Sequence, residues 1–186
     1  MRYLVRMLSR STGREKFLRS VRAVAVAVGA DVRNPKWASY GALELDVFVP
    51  SRADFEAFVA ATEPLGTFEF TKDLNEAPKH RSEDDLFREA RNYFNAERYW
   101  ESHESLEGAW RVMEGDDKRY AQGVILVCAA FVHVQKGEEA VALGVLRRAA
   151  KQLDASSAIY HGIDTVSLRE RVKRILSTGR FEVFRI

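Results

Sequence analysis

One cysteine among 186 residues, Cys128, cannot form an internal disulfide, and it leaves no set of thiols for a structural zinc site. It sits in an apolar run, where a thiol packs as a small hydrophobe. An excess of one charge is missing too. Lys plus Arg number 29 against 27 for Asp plus Glu, so a formal charge of +2 gives no strong electrostatic case for nucleic acid or membrane. The longest apolar run, residues 124–134, contains His133 and falls well short of the roughly 20 residues of a membrane span, so it reads as a buried core helix. The amino-terminal residues mix arginine with apolar groups and lack an uninterrupted hydrophobic region, so no signal peptide is expected and a cytoplasmic location follows. No repeat of fixed period is present.

What is there is enough apolar material for a real core, 46% hydrophobic with 30% charged, which excludes the composition of disorder. Charge is uneven locally. Arg2, Arg6, Arg10, Arg14, Lys16, Arg19 and Arg22 are opposed only by Glu15, which leaves open an anion- or RNA-facing surface beside the simpler reading of a solvated face.

Residues 1 to about 74 read as strand, helix, strand, strand, helix, strand. Tyr3 to Leu8 is β-rich, and Phe17, Leu18, Val21, Val24, Ala25 and Val28 recur at helical spacing before Gly29. Asp31 to Ser39 is a strand made irregular by Pro35, while Leu43 to Val49 alternates and predicts one wet face. Ser51 with Asp54 caps the next helix, and residues 66–71 alternate again. This βαββαβ order is that of a ferredoxin-like split sheet. A polar stretch over residues 72–81 follows as a linker. From Ser82 the pattern is helical: one helix to Asn95, one over 97–113, one over 117–135, one over 138–153, and a last one capped by Asp164, with 181–186 extended and docked on a neighbour. The expected fold is therefore α+β, a ferredoxin-like unit over residues 1–78 followed by an all-α up-and-down helical bundle over 79–186.

The chemistry concentrates in two helices. In Tyr99-Trp100-Glu101-Ser102-His103-Glu104-Ser105-Leu106-Glu107-Gly108-Ala109-Trp110-Arg111, helical spacing puts Tyr99, Trp100, His103, Leu106, Glu107 and Trp110 on one face, Glu104 at its flank and Glu101 pointing to solvent. On the following helix Gln122, Leu126, Ala129, Ala130 and His133 share a face. A carboxylate on an apolar stripe needs a partner, since burying it alone costs several kcal/mol, and His103, His133, Gln122 and Arg111 are the candidates for Glu107. Three readings stand side by side. The polar groups form a structural network fixing helix register; or His103, Glu107 and His133 form a catalytic or small-ligand pocket with Glu104 and Gln122 assisting; or the same three residues hold a divalent metal such as zinc or iron. No H-E-x-x-H motif is present. Tyr99, Trp100 and Trp110 suit a pocket wall that stacks a flat ligand, and suit core packing equally. Ser102 and Ser105 lack the context of a nucleophile elbow. His80 and His161 fall in loop-like segments and are expected at the surface.

Residues about 86 to 170 resemble domain-of-unknown-function family 309. The resemblance rests on Phe94-Asn95, the W-E-x-H-E-x-L-E-x-x-W core from Trp100 to Trp110, Gln122-Gly123 with Ala129, Ala130 and His133, and further on Gly137, Ala149 and Gly162-Ile163-Asp164. It implies a small all-helical bundle with the His-Glu motif as its hallmark, and it implies no activity, since none is established for the family. Where the family often carries Asn after this glycine, Gly137 is followed here by Glu138. The leading expectation is a ligand-binding or catalytic pocket in the bundle for a small molecule. The alternative is a non-enzymatic interaction module, in which the first unit self-associates or contacts RNA and the His/Glu cluster is structural.

Overall fold

The structure, a computed structural model, describes residues 1–10, 13–76, 81–153 and 158–186. The chain divides into two compact units, Met1–Pro78 and Lys79–Ile186.

In the first unit β1 (Arg2–Ser9), α1 (Arg14–Ala27), β2 (Asp31–Trp37), β3 (Ala42–Phe48), α2 (Arg52–Thr62) and β4 (Gly66–Asp73) follow one another. The sheet order is β2-β3-β1-β4 with antiparallel neighbours, Val5 pairing with both Leu45 and Thr71, which is the split-sheet topology. Phe17, Val21 and Ala25 of α1 and Phe55 and Phe58 of α2 bury one face of the sheet, formed by Tyr3, Val5, Met7, Leu43, Leu45 and Val47. Ser51 and Asp54 complete a capping box at the start of α2. Pro35 lies in the edge strand, where the register shifts between Arg33 and Lys36.

The alternation of β3 predicts a wet face, and the structure corrects this. Glu44 and Asp46 are as buried as the residues between them, each 2% exposed. They are tolerated because cations and an amide from adjacent strands meet them. Glu44 accepts from Arg6 at 2.7 Å and Lys36 at 2.8 Å, and Asp46 from Arg2 at 2.9 Å and Asn34 at 2.7 Å.

The second unit comprises α3 (Glu83–Asn95), α4 (Tyr99–Trp110), α5 (Gly115–Gln135), α6 (Glu139–Ala150), a short hairpin of β5 (Ile159–Tyr160) and β6 (Ile163–Asp164), and α7 (Thr165–Thr178). Each helix packs on the next. α4 is shorter than the spacing predicts because the chain breaks at Glu97, φ +54°, where Arg98 N–H donates to Tyr93 O at 2.8 Å to close α3. The hairpin is absent from the sequence reading; its turn, His161-Gly162, has positive φ at both residues, 45° and 76°. The last residues dock as expected. Phe184 packs on Phe94 and Phe131, and Asn95 brackets the final residue, accepting from Ile186 N–H at 2.9 Å and donating to its carbonyl at 3.2 Å. No helix among the described residues is long and apolar enough to cross a membrane.

Candidate functional site

The 99–111 motif is split by the rotation of α4 about its axis. Its buried face is Tyr99, Glu101, Ser102, Ser105, Leu106 and Ala109. The three small residues in this set let α3 and α5 close in, and each polar member is tied to its surroundings. Ser102 Oγ donates to Ala90 O of α3 at 2.8 Å and touches Cys128 Sγ of α5 at 3.2 Å. Ser105 Oγ donates to Glu89 at 2.8 Å, and Arg98 forms a two-pronged ion pair with Glu101. Burial pushes the Cys128 thiol up to about 12, so it carries no thiolate near neutrality.

Two expectations therefore exchange places. Glu101, expected in solvent, is 1% exposed and ion-paired, while Glu107, expected to face the core, has a side chain 39% exposed. The tryptophans suggest the wrong stripe: Trp110 lies at the margin of the buried face and Trp100 opposite it, both half-exposed, and the serines and Ala109 lie at its centre.

The outward residues form a cluster of their own. His103, Glu104 and Glu107 each offer one ligand atom, and these atoms lie within 4.8 Å of one another. The imidazole bridges the two carboxylates, with Nδ1 3.8 Å from Glu104 Oε1 and Nε2 3.8 Å from Glu107 Oε1. Both separations are too long for hydrogen bonds. His103 Nδ1 is itself buried with no hydrogen-bond partner, although the ring as a whole is 24% exposed. A closely spaced nitrogen and two carboxylates held just apart can contract around a divalent cation, since both glutamates are exposed enough to change rotamer.

His133 is held elsewhere. It meets Glu138, at the start of α6, through Nδ1 at 2.5 Å, and that hydrogen bond is the main cause holding the Glu138 carboxyl below the usual range. The residue standing where the family often has Asn thus serves the second histidine. Gln122 is half-buried, Arg111 is exposed, and Tyr99 is 1% exposed and packed edge-on to Phe94 and tilted against Phe131, so it belongs to the core. Lys118 Nζ lies over the Trp110 ring, 4.4 Å from its centroid.

His161, expected at the surface, is instead clamped. Its ring stacks on the buried Phe87 at 4.2 Å, Nε2 lies 2.9 Å from Glu83 and Nδ1 2.7 Å from Asp84, both on the first turn of α3. The carboxylates flank opposite edges of the ring and grip it from both sides. Beside it, burial first and the carboxylates of Asp117 and Glu83 next push the Tyr160 hydroxyl up. Sequence could have flagged this clamp only through the acidic Glu83-Asp84 pair, which reads as helix capping. His80 lies outside the described residues.

Two clefts among the described residues lie away from the cluster. One, of about 300 Å³, is lined by Arg81, Asp85, Arg88, Glu89 and Asn92; the other, of about 230 Å³, lies in the first unit between Ser9, Arg14, Trp37 and Tyr40. The cluster sits on the outer side of one helix, a place suited to an ion and ill suited to enclosing an apolar ligand.

Comparison with known proteins gives a family and no activity. A crystal structure of a conserved hypothetical protein from Thermus thermophilus is similar, 34% identical in a match covering 50% of this chain and 96% of that one, with a TM-score of 0.43. No curated protein matches. The profile of the family described as a domain of unknown function (DUF309) matches residues 87–145, from Phe87 in α3 to Val145 in α6, a shorter span than the 86–170 of the sequence resemblance, with the first unit outside it. The helical unit, which carries the His103-Glu104-Glu107 cluster on α4, thus contains a DUF309 domain over residues 87–145.

Proposed function

We propose that the helical unit binds a divalent transition-metal ion through His103, Glu104 and Glu107 and presents the remaining coordination positions to a small ligand. The observation that carries this is the convergence of one imidazole nitrogen and two carboxylate oxygens within 4.8 Å on the outer side of α4. One nitrogen and two oxygens suit zinc or iron better than calcium or magnesium, which favour all-oxygen shells. Three protein ligands leave at least one position open, the arrangement that distinguishes catalytic from structural zinc. The inward-facing Glu101, Ser102 and Ser105 carry the helix-packing part of the motif.

Metal analysis of the full chain purified without chelators tests this. One equivalent of zinc or iron per chain is expected, lost in His103→Ala and in Glu107→Gln with the circular dichroism unchanged. Chain free of metal after equilibration with zinc, or His103→Ala retaining a full equivalent, overturns the assignment.

A second reading belongs to the first unit. Lys16, Arg19 and Arg22 project from α1 into solvent and meet no carboxylate among the described residues, which supports contact with an acidic partner such as RNA. Binding of a fluorescent single-stranded RNA that weakens steeply with salt is expected, and salt-independent absence of binding refutes it. Self-association through the same unit belongs to this reading and is checked by sedimentation. A cytoplasmic location, checked by cell fractionation, is supported by the single buried thiol, which calls for no oxidising compartment.

A further inference from the structure

We infer that the ligand met by the open coordination positions is a phosphoryl group, held on its far side by Arg111 and Lys118; this inference rests on the metal reading. Arg111 follows Glu107 by four residues, the spacing at which helical side chains are neighbours, about 5 to 6 Å between Cβ atoms. Trp110 follows it by three, and Lys118 at the start of α5 lies over the Trp110 ring, 4.4 Å from its centroid. By spacing, Arg111 stands one turn beyond Glu107 at the carboxy-terminal cap of α4, and Lys118 reaches from the start of α5 to the Trp110 ring, next to Arg111 in the chain.

Among the described residues neither cation meets a carboxylate: Arg111 is exposed, and the Lys118 ammonium lies on the face of Trp110. An i,i+4 ion pair between Glu107 and Arg111 is what an isolated helix would form. Glu107 turns instead toward His103.

Charge decides the ligand class. With a neutral imidazole, Glu104 and Glu107 contribute two negative charges, which a divalent ion cancels. Arg111 and Lys118 then leave two positive charges beside an open coordination position, the complement of a phosphoryl dianion. A guanidinium matches two of its oxygens in a bidentate fork, the ammonium acts as a point charge, and a third oxygen is left for the metal. A neutral ligand would leave both cations uncompensated, and a monoanionic carboxylate one of them.

Cobalt(II) titrated into the full chain tests the inference, because its visible absorption reports seating of the metal and, separately, a change in its ligands. Cobalt bands that appear with the wild type and fail to appear with His103→Ala establish the site. Their absence from the wild type refutes the metal reading itself. Inorganic phosphate and phenyl phosphate are then added to the cobalt-loaded chain. A saturable shift of the bands is expected, with a midpoint raised about five- to tenfold in Arg111→Ala and in Lys118→Ala, the loss of one charge-assisted contact at a half-exposed site. Cobalt affinity is unchanged in both variants. A tighter midpoint for phenyl phosphate identifies an ester as the source of the group, and a tighter one for inorganic phosphate the free anion. Bands that seat cobalt normally but ignore both phosphates, or that shift with the same midpoint in wild type and both variants, overturn the phosphoryl site while leaving the metal site standing.

Discussion

Two adjacent residues of the motif are predicted to respond oppositely to substitution, and the contrast separates architecture from chemistry. Ser102 is fully buried, donates to Ala90 O at 2.8 Å and lies 3.2 Å from Cys128 Sγ. Ser102→Val removes that hydrogen bond, worth about 1 kcal/mol, and forces extra carbon against α3 and α5, worth about 1 to 3 kcal/mol. The sum, about 2 to 4 kcal/mol, is a large part of the roughly 5 to 15 kcal/mol that holds a domain folded. His103 is 24% exposed and its nearest carboxylates stand at 3.8 Å, so His103→Ala removes no hydrogen bond and loses only ring packing, about 1 kcal/mol or less. Urea unfolding of metal-free protein followed by tryptophan fluorescence is the assay, since Trp100 and Trp110 both sit on α4. At a slope of about 2 kcal/mol per molar, the Ser102→Val midpoint falls by about 1 to 2 M and the His103→Ala midpoint by no more than about 0.5 M. Equal falls in the two variants would refute the division of α4 into a structural and a chemical face.

Gly144 meets nothing within 4 Å of an added Cβ, so Gly144→Ala in α6 stabilises by about 1 kcal/mol; Gly123→Ala loses that gain because the new carbon would stand 3.1 Å from the Gln152 backbone and 2.9 Å from Leu153. Melting temperatures check the pair, and a rise in both contradicts the packing of α5. His161→Asn keeps the left-handed turn but loses the stack on Phe87 and one of the two carboxylate contacts, a loss of about 1 kcal/mol read by denaturation, with an unchanged midpoint as the refuting result. Glu138 has a folded pKa below its unfolded value, so its pairing with His133 adds stability above the usual carboxylate range and loses it as pH falls through the lowered value. The melting difference between wild type and Glu138→Gln therefore shrinks in acid, and a difference that stays constant there counts against the pair.

The first unit was legible because alternation and capping are local signals: the Ser51-Asp54 box and the Phe17, Val21 and Ala25 spacing appear in the structure as read. Glu44 and Asp46 misled because alternation marks charges as wet, and nothing local reveals Arg6 and Lys36 waiting on neighbouring strands. In α4 the sequence misleads about rotation. Large aromatics suggest the core face, whereas close helix contact selects the small Ser102, Ser105 and Ala109. His103 and Glu107 were singled out and do lie together, but Glu104 completes their group and His133 pairs with Glu138 through a turn whose partner a one-helix reading does not supply. The His161 clamp joins residues 77 positions apart in the chain, beyond the reach of any periodicity.

Cys128, fully buried against Ser102 with its thiol pushed up to about 12, gives the helical unit an internal clock. A thiol reagent can reach the sulfur only when α4 lifts from α5, so labelling proceeds at the frequency of that opening and leaves the closed molecule untouched. Because Ser102 and His103 are consecutive, the labelling rate with and without metal measures how far occupancy of the outer face tightens the helix beneath it.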